Sequence, residues 1–500
     1  MSSSPSSIKA DATWHVEVHG IDPIPQNIRH GNAFELFKLW VGANTNYVVV
    51  VTGGFILSFG LSLTSAITAI LVGNALGCII VGMASIMGPR TGTAGIVTSR
   101  TSFGQLGSFF PKILSVITAL SWFSINAILA TEAINKLFAM AGVTGVIVPW
   151  IGLAIILVLE VVIAIYGHAT IIFMESYIAI LLAVIFAVLA YFVILGMPVG
   201  HIAAQQQTVF SMVHWLSAMS LAFSFPVGWS NYASDYSRYF PETLSWKKVA
   251  LAAGLGQFVA VVLCEILGVL VAILVGGGLS ANPVAQLANI LPVWFVVPLL
   301  LGIIVGGIAA NVPNGYTAGL GLLALRMPIK RVPSLLVIAL FTLAIRVAVM
   351  VLGDFVGAYE NFLAYMSYWI APWAAIVVVD YFLRRGHYDS GGMMLWKESA
   401  YWYRNGIFWP GIVSFIAGIC ACILFSNSST LASPLMTQIL HLGDCSFEAG
   451  IVVAGLCYYV LAGTYVSKTG SRATRCECDT LDFRPDLTAA FCSSVRDEHD

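Results

Sequence analysis

Four residues of this chain could bind a flat, uncharged ring: Trp122, Asn126, Trp229 and Asn311. An indole face stacks on any planar π-system, worth about 1–3 kcal/mol per ring in comparable nucleobase contacts. A carboxamide offers an acceptor oxygen and two donor hydrogens, which matches the alternating edge of a heteroaromatic ring. Trp122 and Asn126 stand at i and i+4 and so share one helical face. Asn311 lies between the glycines Gly302, Gly306 and Gly307 and Pro313, where another backbone can come close and the helix is weakened. Two indoles and two amides bring no compelling charge, so an amino acid or a sugar phosphate would lack compensation.

The elements that position these residues are membrane spans. Hydrophobic residues make up 59% of the 500 residues, charged ones 9%, and the mean hydropathy is +0.89. No water-soluble surface tolerates such a composition. Leu39 to Pro89, Ser176 to Ser234 and Ile266 to Leu325 carry no Asp, Glu, Lys or Arg. Apolar runs punctuated by Gly, Pro and charge give about twelve transmembrane helices, an all-α polytopic fold. Of the 23 basic residues, all but Lys136 and Arg346 then fall on one side, which the positive-inside rule assigns to the cytoplasm together with both termini. The N-terminal arm lacks the apolar stretch of a cleaved signal peptide. A net charge of −1 gives no electrostatic case for nucleic acid. The glycine-rich stretches lack the Lys-Ser/Thr of a phosphate-binding loop. Cys476 and Cys478 alone fall short of a zinc site, and no cofactor, metal or obligate protein partner is expected.

Within lipid every backbone group needs an internal partner, so a helix broken at membrane depth points to a site. Two apolar runs are broken: the first at Gly42, Asn44, Thr45 and Asn46, and the sixth at Pro226, Val227, Gly228 and Trp229. They stand five spans apart, the register of discontinuous helices in transporters built from inverted five-helix repeats. Asn44 and Gly228 therefore join the candidate site. Each residue also has a plainer reading. Tryptophans often mark the headgroup belt, and an intramembrane asparagine often only bonds a neighbouring helix. Trp122 and Trp229, however, fall inside their runs rather than at the ends. The expected organisation is a cytoplasmic arm (residues 1–35), a first repeat (36–200), a second repeat (201–385), a cytoplasmic linker (386–406), two further spans (407–467) and a cytoplasmic tail (468–500).

Read in order, "IDPIPQNIRHG", "LWVGAN", "GPRTGTAGIVTSRTSFG", Trp122 with Asn126, "GWSNYASDYSRY" and "AANVPN" resemble the nucleobase-cation symporter family, in its purine-cytosine permease branch. The resemblance covers about residues 20–465. It implies a leucine-transporter-like 5+5 inverted repeat plus two C-terminal helices, working by alternating access in the plasma membrane. It also implies that Trp122 and Trp229 sandwich the ligand, that Asn126 and Asn311 bond its edge, and that Pro313 belongs to the same motif. Cytosine or a purine base is the expected cargo. Another ring compound (allantoin, uracil, a hydantoin, thiamine or pyridoxine) and a non-transporting receptor on the same scaffold are the alternatives.

Sodium-coupled members place hydroxyls five and six residues before the span-eight asparagine, where this chain has Gly306 and Val305. A hard cation needs several oxygen ligands, so the proton is the expected coupling ion. Intramembrane carboxylates are candidates to carry it: Glu265 first, with Glu160 and Glu132 beside it; a neutral, hydrogen-bonded structural acid, or a pair with Arg346, whose charge in span nine also needs a partner, is the structural alternative.

Overall fold

The computed structural model describes residues 20–164, 168–197, 208–280, 282–327, 331–352, 355–428 and 431–480. Among these residues the regular structure is helical and no strand forms. In chain order the helices are α1 (Ala33–Asn44), α2 (Tyr47–Leu57), α3 (Leu63–Ser85), α4 (Met87–Thr91), α5 (Gly95–Phe103), α6 (Phe109–Met140), α7 (Val148–Ala164), α8 (His168–Gly196) and α9 (Met212–Val227). They continue as α10 (Ala233–Ser237), α11 (Trp246–Leu274), α12 (Pro283–Ile290), α13 (Val293–Ala324), α14 (Arg331–Leu352), α15 (Phe355–Leu383), α16 (Ser390–Met394), α17 (Trp409–Leu424) and α18 (Ser446–Thr480). Seven helices are long and apolar enough to cross a membrane, the bent pair α1 and α2 makes an eighth span, and the shorter apolar helices α7, α9, α14 and α17 complete the expected twelve. The last helix extends past the expected end of span twelve. The Cys476 and Cys478 side chains, residues 481–500 and the first part of the N-terminal arm, through residue 19, lie outside what is described.

Span one is broken as expected. The axes of α1 and α2 meet at 63°. Asn46 bridges the gap, its Oδ1 accepting from Val49 N at 3.3 Å while its Nδ2 donates to Ala43 O at 2.9 Å. The Thr45 hydroxyl donates to Val41 O at 2.7 Å, and Asn44 Nδ2 to Trp40 O at 2.9 Å. Asn46 does what water cannot do inside a bilayer: it occupies Ala43 O and Val49 N, which the interrupted ladder leaves over, while Asn44 and Thr45 add second bonds to carbonyls of the last turn.

The sixth span stops within the stretch expected to break it, and both prolines stay inside their helices. Pro226 lies inside α9, which runs on to Val227 and stops at Gly228. The pyrrolidine ring nests on Gly77 of α3, where any side chain would collide with it. Turns then lead from Gly228 to the short helix α10. Pro313 likewise sits within α13, which is continuous past Asn311. A proline removes one ladder bond, and here neighbouring packing holds the helix across it.

The packing of spans is symmetric under a shift of five. Span one packs on seven as six packs on two; span one meets five as six meets ten; span three meets nine as eight meets four. Spans two and seven, and spans three and eight, pack on each other directly. Five is odd, so the two repeats run in opposite directions through the membrane. Spans one, two, six and seven make one group, and spans three, four, eight and nine a second. Spans ten to twelve flank them. There Asp380 takes Arg384 Nε at 2.9 Å, the Tyr458 hydroxyl at 2.7 Å and the Thr101 hydroxyl at 2.9 Å, which ties spans ten and twelve to α5.

Small residues set the closest crossings. A Cβ on Gly268 would fall on Val50 O, and one on Gly53 would fall on the Glu265 backbone. Backbones that approach this closely gain dispersion that bulkier helices cannot. Gly268→Val is therefore expected to destabilise the protein by about 1–3 kcal/mol through overpacking. Thermal challenge of detergent-purified protein, followed by size-exclusion chromatography, reads this as a lowered midpoint. Gly278→Ala, whose Cβ would meet nothing, leaves the midpoint unchanged.

Candidate functional site

Two aromatic sets gather near the end of the sixth span. Trp122 of span three is 3% exposed. Edge-on neighbours surround it: Phe225 of α9 at 5.3 Å, Phe362 of span ten at 5.1 Å and Tyr359 at 6.0 Å between ring centroids. Trp229, just past the end of α9, meets Trp40 of α1 edge-on at 5.6 Å and Tyr232 at 6.0 Å. Phe225 touches Trp122 and precedes Trp229 by four residues, so the sixth span carries both sets. Gly228 admits Met366 of span ten, whose sulfur would lie 2.9 Å from a Cβ at that position.

The amides come from spans three and eight, held close by Gly307. A Cβ there would lie 3.0 Å from that of Ala130 and 3.3 Å from Asn126 O. One turn later Asn311 reaches across, its Nδ2 donating to Phe123 O at 2.7 Å and to Glu160 Oε1 of span four at 2.8 Å. Both donor hydrogens of Asn311 are thereby engaged. Its Oδ1 accepts from Asn314 Nδ2 at 3.4 Å, and that same nitrogen donates to Ala310 O at 3.0 Å. Asn126 Nδ2 donates to Trp122 O at 3.0 Å. The result is a chain of polar groups, Glu160–Asn311–Asn314, beside the Trp122 and Asn126 face.

Around these residues buried polar atoms stand without a hydrogen-bond partner among the described residues. Donors are the Nε1 atoms of Trp40, Trp122 and Trp229; acceptors are Asn126 Oδ1, Asn314 Oδ1, Gln257 Oε1 and Glu160 Oε2. An orphaned buried group costs about 1–3 kcal/mol. Donors and acceptors gathered in one region suit a ligand that carries both.

Three of these residues, Trp40, Gln257 and Asn314, were not singled out from the sequence. Gln257 of span seven is wholly buried and stands between the two breaks, its Nε2 3.5 Å from Asn44 Oδ1 and 3.4 Å from Pro226 O. Asn44 thus serves the break and Gln257, while Gln257 keeps an acceptor over. A lone amide in the apolar run "GLGQFVAVVL" was the available signal. Trp40 and Asn314 belong to "LWVGAN" and "AANVPN", whose other members drew attention first.

The three coupling candidates separate in space. Glu265 lies in the crossing of spans one, two and seven and accepts from Asn74 Nδ2 at 2.5 Å. Glu132 takes Arg346 Nη2 at 2.7 Å and Asn282 Nδ2 at 2.8 Å, so it is the acid that meets the partner need of Arg346. Glu160 alone of the three bonds an amide of the candidate site. A further buried carboxylate, Glu175 of span five, faces Gly42 beside the span-one break. Gly306 looks toward Asn46 and the apolar Leu182, so span eight offers no hydroxyl opposite that break. Among the described residues no group of three or more His, Cys, Asp or Glu could hold a metal.

Comparison with known proteins follows the same lines. Residues 23–447 match the family model described as permease for cytosine/purines, uracil, thiamine, allantoin. The chain is 29% identical to Bacillus subtilis YxlA, provisionally named a purine-cytosine permease, over 89% of this chain and 96% of that one. It is 26% identical to the Emericella nidulans purine-cytosine permease fcyB, over 90% of this chain and 89% of that one. Among solved structures it is similar to Mhp1, a nucleobase-cation-symport-1 family transporter in a closed conformation with bromovinylhydantoin bound. That likeness has a TM-score of 0.74 at 18% identity and covers 90% of this chain and 96% of that one. An inward-facing Mhp1 gives a TM-score of 0.71, also at 18% identity, over 92% and 96%. At such identity these two show the fold.

The Glu132–Arg346 pair yields a stability test. Glu132→Gln leaves the Arg346 charge without its carboxylate and lowers the yield of monodisperse protein, whereas Glu132→Gln with Arg346→Met restores much of it. Equal losses in the single and double variants would contradict a pair whose purpose is mutual neutralisation.

Proposed function

Because the chain belongs to the family of permeases for cytosine/purines, uracil, thiamine and allantoin, we propose that it is a proton-coupled symporter that imports a neutral planar nucleobase, cytosine or a purine, by alternating access. The observation that carries this reading is the gathering of unpartnered indole N–H donors and amide and carboxyl acceptors around Trp122 and Trp229. In this account the ring stacks between the two indoles, which are sequence-tolerant platforms. Its edge meets Asn126 Oδ1 and Asn314 Oδ1. Asn311 holds Glu160 in place and lends the ligand its own oxygen. Gly228 and Pro313 shape the helices that present these groups. The twelve-span chain sits in the plasma membrane with both termini cytoplasmic, its repeats spanning residues 36–200 and 201–385, and it carries no resident cofactor.

Glu160 is the group we assign to the proton. Its Oε1 accepts from Asn311, which leaves Oε2 to act. Ionised, Oε2 only accepts; protonated, it becomes a donor. A ring nitrogen or carbonyl oxygen of the base then finds its hydrogen at Oε2 only when the proton is bound. Proton and base thus bind better together than either does alone, which is the coupling a symporter requires. Glu265, bonded to Asn74 inside the moving group, and Glu132, paired with Arg346, lack that contact with the amides.

Uptake of radiolabelled cytosine, adenine, hypoxanthine, uracil, allantoin, thiamine and pyridoxine into a transport-null cell tests the assignment. Cytosine or a purine should accumulate, a protonophore should abolish accumulation, and sodium replacement should leave it intact. Accumulation that survives the protonophore but needs sodium would overturn the coupling. Trp229→Ala should weaken uptake about tenfold or more, in line with the loss of one stacking face. Glu160→Gln keeps a donor and an acceptor, so it should still exchange base across the membrane but no longer concentrate it.

A further inference from the structure

A second ligand site lies on the lipid-facing surface, between spans two and seven, and its occupant differs in kind from the transported ring. The helices α3 and α11 cross with their backbones close, since a Cβ on Gly254 would lie 2.9 Å from Cys78 O. Cys78, Ala250 and Gly254 therefore form a low floor. Ile79, Leu251 and Leu255 rise beside it, 59%, 61% and 51% exposed. Between these walls runs an apolar groove of about 570 Å³. On α11 it extends from Lys247 to Phe258, a rise of about 16 Å at 1.5 Å per residue. That is roughly half of a 30 Å hydrocarbon core, the depth of a single leaflet.

The two ends of the groove differ in chemistry. Phe258 closes the inner end. At the outer end Trp246 and Lys247 line the mouth, with the Lys247 ammonium 5.8 Å from the Trp246 ring and Lys248 following, both lysines exposed. This is also the N-terminus of α11, where Ser245 makes no side-chain cap and the helix dipole is positive. The acid of this segment, Glu242, is turned to Gln26 and Arg90. An indole at the interface, two lysines and a helix N-terminus complement a phosphate, while the groove complements one acyl chain.

We infer that this groove binds an anionic glycerophospholipid, one acyl chain lying between spans two and seven and its phosphate at Lys247 and Lys248. The site adjoins the machinery, because Gly77, next to Cys78 on the floor, is where Pro226 of the sixth span nests. A chain held there occupies the back of the group of spans that contains both breaks.

The test uses the full-length protein purified in detergent and titrated with dioleoylphosphatidylglycerol or dioleoylphosphatidylcholine. Thermal midpoints and native mass spectra are read on the same samples. The wild-type protein is expected to retain one phosphatidylglycerol and to be stabilised by it more than by phosphatidylcholine. Lys247→Glu with Lys248→Glu should lower the apparent affinity for phosphatidylglycerol by roughly tenfold or more, since each lysine contributes to headgroup attraction. Ala75→Leu, which projects into the groove, should reduce retention of both lipids. Lys38→Glu, an exposed lysine on α1, should change neither. Equal stabilisation of the wild type by the two lipids, or unchanged retention in both groove variants, would overturn the inference.

Discussion

The structure depends on how backbone groups are satisfied where two helices stop inside the membrane. Lipid offers no hydrogen bonds, so each interruption must be closed by the protein itself. At the first break Asn46 does this locally, taking Ala43 O and Val49 N. Between the breaks stands Gln257, within reach of Asn44 on one side and of Pro226 O on the other. At 3.5 and 3.4 Å these contacts are at the long end of hydrogen bonding, so the junction is held loosely. Removing Gln257 would take this partner from Asn44 Oδ1, while Pro226 O would keep Trp229 N at 3.0 Å. The remaining oxygen of Gln257, like those of Asn126 and Asn314, has no hydrogen-bond partner among the described residues.

This arrangement explains why the site has its particular composition. A group of spans that carries the breaks contributes Trp40, Trp229 and Gln257, while the facing group contributes Trp122, Asn126, Asn311, Asn314 and Glu160. A ligand between the groups contacts both, so its binding free energy differs between states in which they are near and far. Such a difference is what a ligand needs in order to shift a conformational equilibrium. In the proposed mechanism a proton on Glu160 enters the same balance through the hydrogen it gives to or withholds from the ring.

Much of this was legible in the sequence, and the reasons are physical. Apolar runs and the distribution of basic residues reveal spans because insertion into lipid depends on little else. The two breaks were visible because Asn, Thr and Gly are conspicuous in apolar surroundings. The second break falls at Gly228, within the stretch Pro226 to Trp229 that marked it. Less legible was that Pro226 stays inside the helix, its ring seated on the small Gly77 opposite. Partners across space were hidden as well. Nothing in the order of residues says that Glu160 reaches Asn311 while Glu265 reaches Asn74. Gln257 went unnoticed because one amide in an apolar helix carries no pattern. The amide of Asn311, expected to bond the ligand directly, holds a carboxyl and a backbone carbonyl with its donor hydrogens, a role only the fold could disclose.

The central claim is that one planar base lies between the two groups of spans, stacked by Trp122 and Trp229. A high-resolution map of the protein in nanodiscs with cytosine, and a second with adenine, addresses it most directly. The account predicts ring density between these two indoles, with the heteroatom edge toward Asn126, Asn314 and Glu160. Density that is absent from this gap at saturating ligand, or that lies elsewhere in the protein, would contradict it.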